Sequence, residues 1–195
     1  MTTTPTPHTT GPHAWEQTTP TAATLAELRR TRGKEPFTTL SAIRHTRTHI
    51  PDKIAARGDT TPLARAEWAT LGLWASHQKA GEPPVHLRHH TLGDALRTLK
   101  NTPGREAVAD RLLTRILSST TTAEATHHIG RAIPLLKQHK IRVDYTDLMW
   151  GLTRADTDPT KWAKTVRAWA LAYNRPAQPS TTGGGEVNEK ADYRR

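Results

Sequence analysis

Residues 158–173 have the sequence DPTKWAKTVRAWALAY, whose pattern predicts an amphipathic helix. Asp158 followed by Pro159 is a strong signal for a helix start. Apolar residues then recur at the spacing i, i+4, i+7, i+11, which stacks on one helix face Trp162, Val166, Trp169 and Tyr173. We interpret this face as a core anchor rather than a base-stacking surface. The cations Lys161, Lys164 and Arg167 point away from it, and for this helix alone they fit a solvated face as well as phosphate contact.

Upstream of this helix the apolar residues also repeat at helical spacing, and no stretch alternates at period two for long enough to predict a strand. The short helix near residues 38–48 is expected to turn Leu40 and Ile43 inward. Pro134 should kink the helix that contains it or delay the start of that helix. The predicted helices span approximately residues 21–33, 38–48, 62–78, 91–100, 105–118, 123–139, 144–155 and 158–173.

The two ends of the chain differ in composition from the middle. Residues 1–20 are rich in Thr and Pro, and the stretch from Pro176 onward contains the run Gly183-Gly184-Gly185. Segments with so little apolar surface do not offset the entropy of ordering, so both are predicted to be disordered tails. The sequence Gly81-Glu82-Pro83-Pro84 breaks the chain between helices. We therefore predict an all-α protein with two small helical bundles, residues 21–82 and 83–175, between tails at 1–20 and 176–195.

The positive charge of the chain belongs to its predicted folded part. Lys and Arg number 28 against 18 Asp and Glu, a formal net charge of +10. Residues 1–20 carry a net charge of −1 and residues 176–195 carry none, so residues 21–175 carry +11. This excess favours a polyanionic partner over the plainer alternative of extra Lys and Arg on solvated faces. Because the cations are spread over several helices, with no helix-turn-helix or zinc-finger pattern, they suit sequence-independent contact along a phosphate backbone.

Several classes of protein are disfavoured by what the sequence lacks. The chain has no cysteine, which excludes disulfides and cysteine zinc sites and fits a reducing cytoplasm. No apolar run approaches the ~18 residues of a membrane span. The N-terminal stretch also lacks the charged and apolar regions of a secretory signal. We therefore expect a cytoplasmic protein with no membrane partner.

No catalytic or cofactor pattern emerges from the sequence. Two groups of histidines raise a metal hypothesis: His45 with His49, and His86, His89 and His90. The spacing of the first pair would serve zinc, but no cysteine and no well-placed third carboxylate ligand follow, and the His-Glu-x-x-His motif is absent. We therefore interpret these histidines as chance occurrences on exposed faces. The nucleophile elbow and the phosphate-binding loop are also missing. We expect a protein that is not an enzyme, with no metal, cofactor or small-molecule substrate.

Three stretches, in order along the chain, resemble the CasB family, the small subunit of the type I-E CRISPR complex called Cascade. The first is Leu25-Ala26-Glu27-Leu28-Arg29-Arg30, followed by Gly33 and a helix ended by Ile50-Pro51. The second is Thr91-Leu92-Gly93-Asp94-Ala95-Leu96, similar to the Ser-Leu-Gly-x-Ala-Leu of the family. The third runs over residues 130–174 and includes Val143-Asp144-Tyr145, Leu148, Leu152 and the closing Trp169-Ala170-x-x-Tyr173. Together they cover about residues 15–175.

The resemblance implies two helical bundles and a non-catalytic role in antiviral defence. Members of the family sit as a pair beside the backbone subunits that hold the CRISPR RNA, and they brace the RNA–DNA hybrid and the displaced DNA strand. The implied partners are the backbone and large subunits of Cascade, a second copy of the chain, the CRISPR RNA, and the target and non-target DNA strands. We expect the following residues to neutralise phosphates: Arg29, Arg30, Arg97, Lys100, Arg111, Arg131, Lys137, Arg142, Lys161, Lys164 and Arg167.

An alternative from another class is a helical adaptor. Its basic face would bind acidic protein surfaces and would make no contact with nucleic acid. Binding to single-stranded DNA at moderate salt separates the two hypotheses, because only the first requires it.

Overall fold

The computed structural model describes residues 11–17 and 20–176, which form a helical structure without β-strands. This confirms the all-α prediction. The predicted tails lie outside the described residues except for 11–17, residue 20 and residue 176. None of the described helices is long and apolar enough to cross a membrane. The helices are α1 (Ala22–Arg29), α2 (Leu40–Ile43), α3 (Asp52–Ala55), α4 (Pro62–His77), α5 (Leu92–Lys100), α6 (Glu106–Leu117), α7 (Thr122–Gln138), α8 (Tyr145–Thr157) and α9 (Pro159–Tyr173).

Helix α4 lies at the centre of the fold. It packs against α1, α7 and α8, and residues on nearly every face of it are buried, including Leu71, Leu73 and Trp74. An apolar helix of this breadth needs neighbours on all sides. Since α4 and α8 come from opposite sides of the predicted boundary at residues 82–83, helices from both segments share one core among the described residues. The division into bundles at that boundary stays a prediction.

The last helix has the predicted orientation. Trp162, Trp169 and Tyr173 are buried, with Val166 packed beside them, while the three cations of the opposite face are exposed. Asp158 caps α9 by accepting hydrogen bonds from the backbone N–H groups of Thr160 and Lys161. An aspartate at this position satisfies N–H groups that have no partner inside the helix.

Gly93 permits an unusually close approach of two helices. A Cβ atom at this position of α5 would lie 2.1 Å from the carbonyl oxygen of Trp169 in α9. Any residue other than glycine would therefore push the two backbones apart. The glycine of the Leu92-Gly93 pair in the second motif therefore lets α5 pack directly on the backbone of α9 at Trp169.

The predicted N-terminal tail is too long, because residues 13–16 pack into the fold. Trp15 is only 2% exposed, and its indole Nε1 donates a 3.0 Å hydrogen bond to Oγ1 of Thr146. His13 Nδ1 lies 2.8 Å from the buried carboxylate of Glu67, and Glu16 forms an ion pair with Arg88. Judged by its average composition, this segment has too little apolar surface to become ordered. One buried tryptophan together with the three polar contacts nevertheless fixes it against the fold.

The segment between α1 and α4 also differs from the prediction. Helix α2 is a single turn, and Leu40 is 84% exposed rather than turned inward, whereas Ala42 is fully buried. A short helix, α3, follows Pro51 where no helix was predicted. The segment is therefore anchored by a small residue and by Ile43, which packs against the edge of the core.

Helix α7 runs through Pro134 without interruption and begins at Thr122, so its start is not delayed. Proline has no N–H, so the carbonyl of Gly130, four residues earlier, lacks its usual helical donor. The guanidinium Nη2 of Arg32 occupies that role and lies 3.4 Å from the Gly130 oxygen. A contact from outside the helix thus compensates for the missing hydrogen bond.

We expect acid to destabilise the protein through His77. This side chain is 1% exposed, and its Nδ1 lies 2.7 Å from the hydroxyl of the buried Tyr145. Burial, reinforced by the charge of Lys137, lowers the pKa of His77 to about 4 from 6.5. Because the folded state resists protonation, stability is fully present above pH 6.5 and is lost as the pH falls toward 4. Between pH 6.5 and 5 the loss should be about 2 kcal/mol.

The measurement is the free energy of unfolding by urea at several pH values between 7.5 and 5. The variant His77→Gln should show a flatter pH dependence than the unmodified protein, while His49→Gln, on an exposed histidine, should not. The same slope in all three proteins would contradict the assignment to His77.

Candidate functional site

The predicted phosphate-binding cations divide into groups according to what they contact. Arg29 and Lys137 meet at the C-terminal end of α4. Arg29 donates to the carbonyl oxygens of Ala75 and Gln78 at 2.7 and 2.9 Å, and Lys137 donates to that of Ser76 at 3.0 Å. Cations at a helix C-terminus satisfy carbonyls that lack partners and complement the helix dipole. Both side chains therefore have a structural role, whereas phosphate binding by them stays a prediction.

Arg97 and Lys100 form a second group at the end of α5. Arg97 lies 3.5 Å from the carboxylate of Asp94 and donates to the carbonyl of Arg175. Lys100 lies 3.8 Å from Asp110 and 4.9 Å above the ring of Tyr173. Each cation is half-buried and has an anion or an aromatic ring beside it. These contacts fasten α5 to α6 and α9 and leave less of the charge available to a ligand.

Arg111 and Arg131 are brought together between α6 and α7. With Arg115, which the sequence analysis did not select, they line a groove of about 290 Å³. All three are exposed, and within the part of the chain that the structure describes none of their guanidinium groups forms a hydrogen bond or an ion pair. The rest of the groove is apolar and consists of Val108, Leu112 and Leu135. Arg111 and Arg131 are thus two predicted cations that line one groove and have no partner among the described residues.

The remaining predicted cations are exposed and lie outside this groove. Lys164 and Arg167 lie on the outer face of α9, and Lys161 lies 3.3 Å from Asp158 on the same helix. Arg30 and Arg142 are also exposed, at the end of α1 and before α8. The structure does not place these five residues in the groove lined by Arg111, Arg115 and Arg131, which we call the arginine groove. Phosphate binding by the five residues stays a prediction.

Arg115 could have been found from the sequence. It stands four residues after Arg111 on a helix whose apolar stripe is formed by other positions, so the two share one exposed face. The position of Arg131 beside these two arginines could not have been found from the sequence, because it depends on how α6 packs on α7.

His86, His89 and His90 contact the residues around the start of α8. His86 Nδ1 accepts the backbone N–H of Tyr145 at 3.1 Å, and His90 Nδ1 lies 2.8 Å from the carbonyl of Arg142. Asp144, which caps α8, also accepts the backbone N–H of His89. The loop at 85–90 is thereby fixed to the start of α8, and His86 is less exposed than the sequence suggested. Within residues 11–17 and 20–176, no three acidic, histidine or cysteine side chains are grouped as metal ligands would be.

A second cavity, of about 690 Å³, lies between the loop at 31–36, α4 and the first turns of α7. The cations that line it are Arg32, Lys34 and Arg65, and the anions are Glu35 and Asp156. Trp68 and Ala69 from α4 face Ala123, Thr126 and His127 from α7. No pattern in the sequence predicts a cavity here.

Comparison with known proteins identifies the family. The sequence model of the CRISPR-associated protein Cse2 family matches residues 24–173, most of the chain. The chain belongs to the Cse2 family. Two solved Cse2-type structures share its fold. CasB from Thermobifida fusca is 22% identical with a TM-score of 0.60, covering 78% of this chain and 84% of that one. A Cse2-family CRISPR-associated protein from Thermus thermophilus is 18% identical with a TM-score of 0.56, covering 77% and 85%.

No curated protein matches the chain. The Cse2 match includes α1 to α9 almost in full, and it includes the arginine groove and the larger cavity. The resemblance to CasB inferred from three short motifs is therefore confirmed.

Proposed function

We propose that this Cse2-family chain is the non-catalytic small subunit of a type I-E Cascade complex. In this role it binds nucleic-acid backbone and stabilises the hybrid of CRISPR RNA with target DNA and the displaced strand. The observation that carries the proposal is the arginine groove between α6 and α7. Arg111, Arg115 and Arg131 are exposed, close together and without anionic partners among the described residues.

Three guanidinium groups in one groove suit phosphate. Each presents several N–H donors in a planar fork, which matches the oxygens of a phosphodiester. Such contacts need no base identity, so they bind any sequence. That property is what a subunit needs when the guide RNA changes from one target to the next.

A modest contribution from the protein is sufficient in this role. Exchange of a DNA duplex for an RNA–DNA hybrid is nearly balanced in free energy, so contacts with the backbone can tip it. The proposal therefore requires no catalytic group, cofactor or small-molecule substrate. It does require the backbone and large subunits and a second copy of the chain as neighbours, in the cytoplasm.

We expect replacement of Arg111, Arg115 and Arg131 by alanine to weaken binding to single-stranded DNA by more than about tenfold at moderate salt. Loss of three phosphate contacts should also reduce the slope of log affinity against log salt concentration by about 2. The measurement is a fluorescence-anisotropy titration at four salt concentrations. The control removes three exposed cations elsewhere, Lys53, Arg57 and Lys79, and should change the slope much less.

An unchanged salt slope in the groove variant would overturn the assignment of these arginines. If the unmodified chain binds no nucleic acid, either alone or assembled with the subunits that co-purify with it, the adaptor hypothesis is favoured instead. Identification of the RNA in the co-purified complex tests the Cascade assignment directly.

A further inference from the structure

The arginine groove has an apolar floor as well as a cationic rim. The floor consists of Val108 and Leu112 from α6 and Leu135 from α7, and the three arginines form the rim. Val108 and Leu135 are only half-buried, so apolar surface stays open in the groove among the described residues. Phosphates would use the rim alone. A ligand that covers both parts combines carboxylates with an apolar side chain.

A segment with this composition stands in the C-terminal stretch of the chain, outside the described residues. Residues 186–189 have the sequence Glu-Val-Asn-Glu, in which Val187 stands between two carboxylates and the net charge is −2. We call this stretch the acidic segment. Residues 177–185 before it carry no charge and no aromatic, leucine, isoleucine or valine side chain. The acidic segment therefore follows a neutral linker that has few groups able to bind elsewhere.

The described chain ends beside α6. The hydroxyl of Tyr173 donates a 2.6 Å hydrogen bond to the carboxylate of Asp110, the residue before Arg111. The guanidinium of Arg175 lies 3.6 Å from the carboxylate of Asp94 in the first turn of α5. The C-terminal stretch thus leaves the fold next to the helix that carries two of the three groove arginines.

The linker is long enough to bring the acidic segment to the groove. Ten residues lead from 176 to 186, and an extended chain of that length spans about 33–36 Å. Helix α6 has 12 residues and is about 18 Å long, so its whole length is within reach. Attachment to the same chain gives the segment a local concentration on the order of a few mM. A contact with a Kd of about 1 mM, too weak to hold a free peptide, would then be occupied in most molecules.

We infer that the acidic segment docks in the arginine groove of its own chain, with Val187 on the apolar floor and the carboxylates of Glu186 and Glu189 against the arginines. In this position the carboxylates compete with strand phosphates for the same guanidinium groups. This inference rests on the proposed function and adds regulation to it. A strand must displace the acidic segment before it gains the full affinity of the groove.

The first test needs no nucleic acid. Because the chain has no cysteine, an introduced pair reports this contact alone. We expect Val108→Cys with Val187→Cys to form an intramolecular disulfide about tenfold faster than Ala55→Cys with Val187→Cys, whose first thiol is exposed on α3. Each rate is divided by the rate at which the thiol at position 108 or 55 reacts with oxidised glutathione, since nearby arginines make a thiol more reactive.

Equal corrected rates for the two pairs would overturn the docking. A disulfide that joins two chains would place the acidic segment on a second copy, and it would also contradict docking within one chain.

The second test measures competition with a short thymidine strand by fluorescence anisotropy in the full chain. Glu186→Gln with Glu189→Gln removes the carboxylates of the acidic segment. The matched control, Asp52→Asn with Asp59→Asn, makes the same change in net charge at two exposed positions outside the groove. Release of the segment should make the glutamine pair bind the strand about three- to fivefold more tightly than the control pair.

The groove variant, with its three arginines replaced by alanine, shows whether this effect acts through the groove. In that background the glutamine pair and the control pair should bind the strand equally, because the acidic segment has no cationic rim to occupy. A threefold difference that persists there would contradict docking in the groove. Equal binding by the two pairs when the arginines are present would overturn the inference and leave the proposed function intact. Failure of every variant and of the unmodified chain to bind the strand at low salt would overturn both.

Discussion

Replacement of Gly93 by alanine is expected to destabilise the protein by about 3 kcal/mol, at the upper end of the usual range for overpacking. The added Cβ would lie 2.1 Å from the carbonyl oxygen of Trp169, and 2.8 Å from its carbonyl carbon and Cα. These are backbone atoms, so no side-chain rotation relieves the overlap and α9 must move. Its movement would disturb the buried aromatic face that this helix presents to the core.

The measurement is the melting temperature, which should fall by about 6–12 °C for a chain of this size. Gly130→Ala is a matched control, since this glycine is also buried in a helix. Its added Cβ would lie 2.6 Å from Nη2 of Arg32, the far end of a flexible side chain that can withdraw. Withdrawal would break the 3.4 Å hydrogen bond from Arg32 to the Gly130 carbonyl, and better helix propensity should offset much of that cost, so the loss should stay well below that of Gly93→Ala. Equal melting temperatures for Gly93→Ala and the unmodified protein would refute the close approach of α5 and α9.

The second large effect is expected from Glu67→Gln. The Glu67 carboxylate is fully buried and accepts 2.8 Å hydrogen bonds from the backbone N–H groups of Arg47 and Thr48, with His13 Nδ1 at the same distance. Burial alone would raise the pKa of Glu67, but the hydrogen bonds from His13, Thr48 and Arg47 lower it below its ordinary value. A glutamine in its place would turn its N–H₂ group toward groups that also donate. We therefore expect the free energy of unfolding to fall by about 3 kcal/mol.

Urea unfolding at pH 7.5 measures this loss, and limited proteolysis shows whether the segment at 11–17 is released. The control is Glu27→Gln, which removes only the exposed ion pair with Arg44 and should cost less than about 1 kcal/mol. Since the pKa of Glu67 is lowered in the folded state, its contribution is present above pH 4.5 and is lost as the pH falls further. A Glu67→Gln protein as stable as Glu27→Gln would contradict the buried network.

The periodicity of apolar residues along the sequence predicted the features that depend only on nearby residues within one helix. The aromatic face of α9, its cap at Asp158 and the all-round burial of α4 all follow from spacings of a few residues. The motif Leu92-Gly93 was visible as a pattern, but the reason for its glycine lies in α9, some 76 residues later.

Pairing across the chain could not be predicted in this way. In the sequence Arg29 looks like one more surface cation, yet its guanidinium donates to carbonyls at the C-terminal end of α4 that are 46 and 49 residues away. The charge of Arg111 and Arg131 was predicted, but their convergence with Arg115 in one groove depends on the packing of α6 on α7. For the same reason Trp15 was assigned to a tail, since its partners come from α4 and α8.

The anchoring of Trp15 has a consequence for folding during synthesis. Its hydrogen-bond partner, Thr146, is 131 residues further along the chain. At a translation rate of about 5–20 residues per second, the ribosome reaches Thr146 roughly 7 to 26 seconds after making Trp15. Residues 13–16 can therefore take their place in the fold only after the chain has been synthesised as far as the start of α8.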